Sequence, residues 1–337
     1  MDELAPAVRR TLYARGPLRR ALLDTSVLTT DIIAATKRRD PSSFVAGARA
    51  GTVRCLIPVH VKEEVPRVLA DRHHEGGRFD LGRALELWQT QYEPVLYVVD
   101  AAGLPMTAEA KILAERDASD VPMLLLAGVI APVVIIGTDK DLVASGLASK
   151  DWRELRSALG DVGVAEGEMA DLERAFNVAA RVAGHAIEAV VKQLSGRKQL
   201  VIAGAALVAV GGALLWERRR KPHQVPVQRK SVTPTLLEQV SVKTAARVAR
   251  HRRGEDRWQQ AELGTPGDTL LHRVARTVVA SREPLTRTAI VERLGDAIPA
   301  SSHSGRMTAV LDVLTAYPMF VDVTGRGHWQ VGRLGGR

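Results

Sequence analysis

The stretch VVIIGTDKDL, residues Val133 to Leu142, is the part of the sequence that decides the fold. Its four consecutive β-branched residues are typical of a strand buried on both faces, as in a parallel sheet covered by helices. The run ends in Asp139 and Asp141, although a carboxylate beside an apolar core is costly unless something neutralises it. Either the strand reaches ordinary surface here or it ends beside a cation.

Three more aliphatic runs predict the rest of a sheet. They are RALLDTSVL at 20–28, RCLIPV at 54–59 and PVLYVVD at 94–100. Helical patterns such as LGRALELWQTQY at 81–92 and VPMLLLAGVIA at 121–131 lie between the predicted strands. Alternation of this kind predicts an α/β domain with a largely parallel sheet.

The composition limits the class of protein. The chain has 337 residues, enough for two or three domains, and a formal charge of +9 that favours polyanionic partners, meaning nucleic acid or anionic lipid. Cys55 is the only cysteine, which excludes an internal disulfide and a thiolate zinc cluster. The N-terminus has no apolar signal-peptide core, so we expect the first domain to be cytoplasmic.

The uncharged stretch QLVIAGAALVAVGGALLW, residues 199–216, predicts a membrane span. As a helix it would be about 27 Å long, just enough for the hydrocarbon core of a membrane. The alternative is a buried helix rich in Ala and Gly. Basic clusters lie at both ends of the stretch. The sequence therefore predicts that the chain is attached to the cell membrane, but it does not predict on which side of the membrane the C-terminal region lies.

The C-terminal region has the pattern of a small separate domain. Helical patterns at 268–281, 285–295 and 304–317 are followed by MFVDVTGRGHWQVG at 319–332, which predicts two strands joined through Thr324 to Gly327. Three helices and a terminal hairpin resemble a winged helix. Its third helix carries Arg306 as the only strong cation together with Asp312, so a protein partner is as good an expectation as nucleic acid.

These patterns divide the chain into six segments. They are a basic arm at 1–19, an α/β domain at 20–150, an amphipathic helical region at 151–198, the predicted span at 199–216, a basic linker and helix at 217–262, and the winged-helix-like domain at 263–334. The basic segment is expected to contact nucleic acid or lipid head groups through Arg218, Arg219, Arg220, Arg247, Arg250, Arg252 and Arg253.

Acidic residues follow the predicted strands of the α/β domain. Asp24 ends the first strand and Asp139 the last, and the carboxyl ends of parallel strands share one edge of a sheet. Asp117 and Asp120 stand at the start of the helix that leads into the Asp139 strand. These two also fit a purely structural role, with Asp117 as N-cap and Asp120 at the third helical position.

A fourth acid comes from the segment HVKEEVPRVL, residues 60–69. Helical periodicity places Glu64 beside the predicted buried stripe and Glu63 nearly opposite it, so Glu64 is the acid expected to lean inward. Asp24, Glu64, Asp120 and Asp139 could then share one pocket. Such a cluster repels itself unless it holds cations, and its hard oxygen ligands suit Mg²⁺ or Mn²⁺. Carboxylate-held divalent ions suit the cleavage of phosphodiesters.

In this order and spacing the residues resemble the PIN-domain ribonucleases. LLDTSVL looks like the first motif of that family, VKEEVPRVL the second, ERDASDVPMLLLA the third and IIGTDKDL the fourth. The resemblance implies a three-layer α/β/α sandwich whose metal ligands and catalytic residues are Asp24, Glu64, Asp120 and Asp139. It implies accessory roles for Thr25, Ser26, Asp117, Thr138 and Asp141. One departure is Gly137, which stands where the family usually has threonine or serine.

By this resemblance we expect an endoribonuclease that uses Mg²⁺ or Mn²⁺ to cleave RNA, and the uncharged stretch at 199–216 adds the expectation that it is attached to the membrane. Many members of the family are toxins of toxin–antitoxin pairs, but those are usually single compact domains, and the long tail here argues against a plain toxin. The main alternative is a catalytically silent PIN scaffold that acts as a membrane-tethered adaptor or nucleic-acid-binding protein. DNA is an alternative substrate, and a homodimer is a further expectation.

Overall fold

A computed structural model describes residues 18–38, 42–144, 148–149, 151–160, 162, 249–264 and 267–336. Within these residues the chain is α/β, with a five-stranded, mostly parallel sheet and a smaller antiparallel sheet. The predicted α/β class with a parallel sheet is confirmed at this level.

The large sheet is formed by β1 (Arg19–Leu23), β2 (Val53–Pro58), β3 (Tyr97–Val99), β4 (Val134–Ile136) and a late strand, β8 (Arg333–Leu334). Their order is β4-β1-β2-β3-β8. The first four strands are parallel, whereas β8 pairs antiparallel with β3. All residues of β2 and β4 are buried, which explains their nearly continuous apolar sequences.

The apolar run RALLDTSVL contains a strand and the start of a helix. The strand was predicted to end at Asp24; β1 ends at Leu23, and the helix α1 (Thr25–Ala35) begins two residues later. Asp24 is the N-cap of α1, since its side chain accepts a hydrogen bond from the backbone N–H of Ser26. An Asp at this position stabilises a helix start, and here it prevails over the strand propensity of the apolar residues that follow.

Further helices connect the strands of the large sheet. They are α2 (Ser43–Ala50), α3 (Val59–His74), α4 (Leu81–Leu87), α5 (Ala108–Ala114), α6 (Val121–Ile130) and α7 (Lys140–Ala144). Ser42, Asp80 and Thr107 accept hydrogen bonds from backbone N–H groups in the first turns of α2, α4 and α5, so local capping fixes where these helices begin. Both helices predicted at 81–92 and 121–131 are present, the first continuing into a π-helical turn, Trp88–Tyr92.

Two more helices, α8 at 152–160 and α9 at 249–261, pack against each other. A Cβ atom on Gly254 would lie 2.7 Å from Cγ2 of Val162 and 3.1 Å from the carbonyl oxygen of Ala158, so glycine at this position favours the close approach of the two helices. Two ion pairs attach these helices to the rest of the structure: Arg156 contacts the buried Asp31 of α1 at 2.6 Å, and Arg19 of β1 contacts Glu255 of α9 at 2.8 Å.

The C-terminal region contains α10 (Leu270–Ala280), β5 (Leu285–Thr286), α11 (Arg287–Leu294), α12 (His303–Ala316), β6 (Phe320–Asp322) and β7 (His328–Val331). These agree with the predicted three helices and hairpin. The three strands form an antiparallel sheet of order β5-β7-β6. Gly325 and Gly327 both have positive φ in the predicted turn between β6 and β7.

The C-terminal region packs directly on the large sheet, and its described residues form one compact unit with those before residue 163. Helix α10 contacts α6, and β8 extends the sheet beside β3. The buried Arg54 of β2 donates hydrogen bonds to the carbonyl oxygens of Val279, Ser281 and Arg282 at the end of α10. The segments predicted at 20–150 and 263–334 are therefore joined by strand pairing as well as by side chains.

Several predicted features lie outside the described residues. They include most of the arm at 1–19, much of 151–198, the predicted span at 199–216, and Arg218, Arg219, Arg220 and Arg247. Among the residues that the structure describes, no helix is both long and apolar enough to cross a membrane.

Candidate metal centre

Three carboxylates meet at the edge of the sheet where the parallel strands end. Asp117, Asp120 and Asp139 each offer an oxygen atom, and these three atoms lie within 4.8 Å of one another. Asp120 is buried, whereas Asp117 and Asp139 are partly exposed. We call these three residues the acidic cluster. Its members come from the turn before α6 and from the segment between β4 and α7.

The local structure around Asp117 and Asp120 excludes the capping alternative. Asp120, not Asp117, is the residue before α6, and its side chain makes no capping hydrogen bond. Asp117 instead accepts hydrogen bonds from the backbone N–H and the hydroxyl of Ser119, at 2.8 and 2.5 Å. The prediction that Asp117 caps the helix with Asp120 at its third position was wrong. Asp120 therefore has no helix-capping role to explain its burial.

Asp139 is held by the helix that follows it. Its side chain accepts a hydrogen bond of 3.1 Å from the backbone N–H of Leu142, and its carbonyl oxygen accepts one from Val143. Gly137 and Thr138 carry the chain from the end of β4 to this position. The prediction that a carboxylate follows the buried strand is confirmed, with Asp139 fixed in place by the start of α7.

Asp24 lies beside this cluster at the end of β1. It is buried, its backbone N–H donates to the carbonyl oxygen of Ile136, and its side chain accepts a hydrogen bond from the hydroxyl of Ser26. A Cβ atom on Gly137 would come 3.2 Å from the Cβ atom of Asp24, so the ends of β1 and β4 are in close contact. The buried Asp24 thus lies at a strand end that is adjacent to the end of β4, the strand that leads to Asp139.

The serine and threonine hydroxyls have defined partners. Thr25 donates to Glu64 at 2.7 Å, and the Ser26 hydroxyl accepts a hydrogen bond of 3.1 Å from the backbone N–H of Thr138. Thr138 itself is exposed. Ser26 therefore connects Asp24 to the segment before Asp139, which ties together two of the predicted motifs.

Glu64 occupies a different position from the three clustered acids. Glu63 is exposed and Glu64 is partly buried, as the helical periodicity of α3 predicted. Glu64 accepts the hydrogen bond from Thr25 and lies 3.7 Å from Arg67, but it is not within the group whose oxygens lie inside 4.8 Å. The structure thus brings together Asp120 and Asp139 with Asp117, which we predicted as accessory, and links Glu64 to them through α1.

Burial and neighbouring carboxylates disfavour the ionised forms of two acids of the site, Asp120 and Asp24. Burial, followed by the charges of Asp24, Asp139 and Asp117, raises the pKa of Asp120 from its ordinary value to about 7. Burial also raises the pKa of Asp24, against the effect of its hydrogen bonds from Ser26. The hydrogen bonds from Ser119 lower the pKa of Asp117. Asp120 is therefore the acid for which a cation would bring the largest relief.

The residues present fit a hard divalent cation. The Oδ2 atom of Asp120 is buried and has no hydrogen-bond partner among the described residues. A buried carboxylate oxygen without a partner is costly, and a metal ion is one way to satisfy it. Because every candidate ligand is a carboxylate oxygen, Mg²⁺ or Mn²⁺ suits the site better than a soft metal.

Sequence reasoning missed His60, which lies among these acids. His60 is the second residue of α3, is partly exposed, and interacts electrostatically with Glu64, Asp24, Glu63 and Asp117. The sequence feature that could have identified His60 was its spacing from Glu64, since residues four apart share one face of a helix. The other two histidines of α3, His73 and His74, are the last two residues of the helix.

Three of the predicted arginines lie away from the acidic cluster. Arg250, Arg252 and Arg253 are exposed on α9. This helix contacts Arg19, at the opposite end of β1 from Asp24. The side chain of Asp141 lies outside the described part of the chain.

The chain was compared with models of protein families, with curated proteins and with solved structures, and none of them matches it.

Proposed function

We propose that this chain is a PIN-type endoribonuclease that depends on Mg²⁺ or Mn²⁺. The observation that carries the proposal is the buried Oδ2 atom of Asp120, which lacks a partner among the described residues and belongs to a group of three acids. This group lies at the carboxyl edge of a parallel sheet, where α/β proteins generally bind their ligands. The resemblance of four separate segments to the PIN motifs adds the reaction class.

Asp117, Asp120 and Asp139 would hold the metal, with Asp24 beside them as a further ligand. When bound, Mg²⁺ or Mn²⁺ would activate a water molecule and stabilise charge on the phosphodiester. Glu64 would orient the attacking water, and its hydrogen bond from Thr25 fixes one of its two oxygens. In-line attack on the phosphorus would leave a 5′-phosphate and a 3′-hydroxyl.

Membrane attachment is the second part of the proposal. It rests on the uncharged stretch at 199–216 and on the arginines of the basic segment. Arg250, Arg252 and Arg253 belong to α9, the helix that contacts the end of β1 opposite to Asp24, which supports lipid head groups rather than the bound substrate as their partner. The winged-helix-like arrangement of α10, α11, α12 and the small sheet would contact a protein or nucleic acid.

The test is cleavage of single-stranded RNA by the full chain in Mn²⁺. We expect cleavage by the wild type, loss of at least about a hundredfold in Asp120→Asn and Asp24→Asn, and little change in Glu63→Gln. Glu63 is the matched control because it is an exposed carboxylate next to the site. Equal rates in wild type and Asp120→Asn would contradict the proposal.

The same wild-type and variant proteins distinguish a nuclease from the alternative, a catalytically silent scaffold. It predicts RNA or DNA binding that needs no metal, with no cleavage by any of the variants. Parallel assays on single-stranded DNA separate a ribonuclease from a deoxyribonuclease, because carboxylate-held metals do not by themselves read the 2′-hydroxyl.

A further inference from the structure

His60 is placed by two adjacent elements. Strand β2 ends at Pro58 and α3 begins at Val59, so His60 is at the start of a helix on the edge of the sheet that also carries the acidic cluster. Glu64 follows one helical turn later. The two side chains therefore share a face of α3, and Glu64 in turn is bound to Thr25.

The imidazole lies among carboxylates from separate segments of the chain. Asp24 comes from the end of β1, Asp117 from the turn before α6, and Glu64 from α3, and all three act on His60 electrostatically. The ring is partly exposed and makes no hydrogen bond to any described residue. By contrast, the ring of His73 on the same helix packs edge-on against the ring of Phe79, with the two ring centroids 5.4 Å apart. This packing gives His73 a structural role.

A phosphate approaching this edge would meet several carboxylates, which repel it. Hydrogen-bond donors are needed beside them to hold the backbone of a polynucleotide. Arg67 already lies 3.7 Å from Glu64, and Lys140 follows Asp139 with an exposed side chain. His60 offers an N–H in either protonation state, and none of the described residues accepts it.

We infer that His60 is a substrate-contacting residue whose imidazole N–H donates a hydrogen bond to a phosphate oxygen of single-stranded RNA bound at the acidic cluster. The identity of the ligand rests on the proposed function. The contact would strengthen RNA binding without contributing a metal ligand. His60 would thus hold the phosphate on one side while the acids hold the metal on the other.

The experiment measures RNA binding separately from cleavage. A fluorescein-labelled single-stranded RNA of about 20 nucleotides is titrated with the full chain in Ca²⁺, a hard cation that also takes carboxylate ligands. We expect His60→Ala to weaken binding about tenfold or more, the size expected for losing a hydrogen bond to a charged group. His60→Gln keeps an N–H donor and should recover part of the affinity.

The matched control is His74→Ala. It removes the same side chain from the other end of the same helix, about 21 Å away by helical rise. We expect less than about a twofold effect. Mn²⁺ binding without RNA is measured for each variant, and we expect it to be unchanged in His60→Ala. A matching loss of Mn²⁺ affinity would show that His60 acts through the acids and would overturn the inference.

The outcomes separate this inference from the proposed function. If the wild type cleaves RNA while His60→Ala and His74→Ala bind RNA equally well, the inference alone fails. If His60→Ala binds RNA about tenfold more weakly than His74→Ala but no cleavage occurs with the wild type, the contact stands and the nuclease proposal fails. If the folded wild type binds no RNA, both fail. If His60→Ala does not fold, His60→Phe replaces it, because phenylalanine keeps a ring but has no N–H donor, and binding equal to that of His74→Ala overturns the contact.

Discussion

Thr25 donates a hydrogen bond from its hydroxyl to Glu64 at 2.7 Å and so joins the beginning of α1 to the second turn of α3. Both helices begin directly after strands of the large sheet, β1 and β2. The bond therefore fixes Glu64 relative to the strand ends, although Glu64 is not one of the three clustered acids. The role of Thr25 is therefore to hold the side chain of Glu64 in place.

Replacing Thr25 with valine removes this bond while keeping the branched shape. We expect a loss of about 1 kcal/mol in the free energy of unfolding, and a loss of about tenfold in RNA cleavage because Glu64 is no longer held. Chemical denaturation and cleavage rates measure the two effects. Thr36→Val is the control, since the hydroxyl of Thr36 donates only to the carbonyl oxygen of Ile33 in its own helix. Equal cleavage by the two variants would contradict the role of Thr25.

Much of the site followed from local sequence patterns. The period of α3 distinguished Glu64 from Glu63, and the strand-to-acid transitions found Asp24 and Asp139, because burial and strand ends leave short-range signals. His60 was missed because a single histidine at a helix start has no pattern of its own. The pairing of β8 with β3 was also missed, since it joins segments more than two hundred residues apart through two short strands and has no local signal.

The acidic cluster predicts how stability depends on pH. The pKa of Asp120 is raised in the folded state from 3.8 to about 7, so folding favours its protonated form. Its contribution to stability is present below pH 3.8 and is lost as the pH rises through about 7. We expect Asp120→Asn to be more stable than the metal-free wild type at pH 8, with the difference shrinking toward pH 5. Melting temperatures in EDTA across this range measure it, and a constant difference would contradict the raised pKa.

Metal binding should also depend on the ionisation of Asp120, but here a higher pH should strengthen the interaction. Mn²⁺ needs the ionised carboxylate, so its affinity should fall about tenfold for each pH unit below 7 and level off above it. Calorimetry in two buffers of different ionisation enthalpy should detect proton release on binding near pH 6. Glu63→Gln is expected to keep this profile, because Glu63 is exposed. A pH-independent affinity between pH 5 and pH 7 would argue against Asp120 as a ligand.

Arg54 predicts how the C-terminal region is attached. Its buried guanidinium donates to the carbonyl oxygens of Val279, Ser281 and Arg282. Arg54→Met keeps much of the apolar volume but leaves those carbonyl groups without their donor, which should cost about 2 to 4 kcal/mol of unfolding free energy. Arg116→Met, at an exposed position, should change it by less than about 0.5 kcal/mol. Urea denaturation measures both, and similar midpoints would show that Arg54 does not hold α10 to the sheet.

Gly332 tests the strand pairing that closes the edge of the large sheet. It has φ of 72° just before β8, and a Cβ atom there would lie 2.7 Å from the carbonyl oxygen of Val98 in β3. Gly325 has φ of 65° in the turn between β6 and β7, but nothing lies within 4 Å of the same position. Alanine should cost about 1 kcal/mol at Gly325 from backbone conformation alone. At Gly332 the collision with β3 adds about 2 kcal/mol or more, because the strand must move or separate. Equal losses in the two variants, measured by urea denaturation, would show that the pairing of β8 with β3 contributes little to stability.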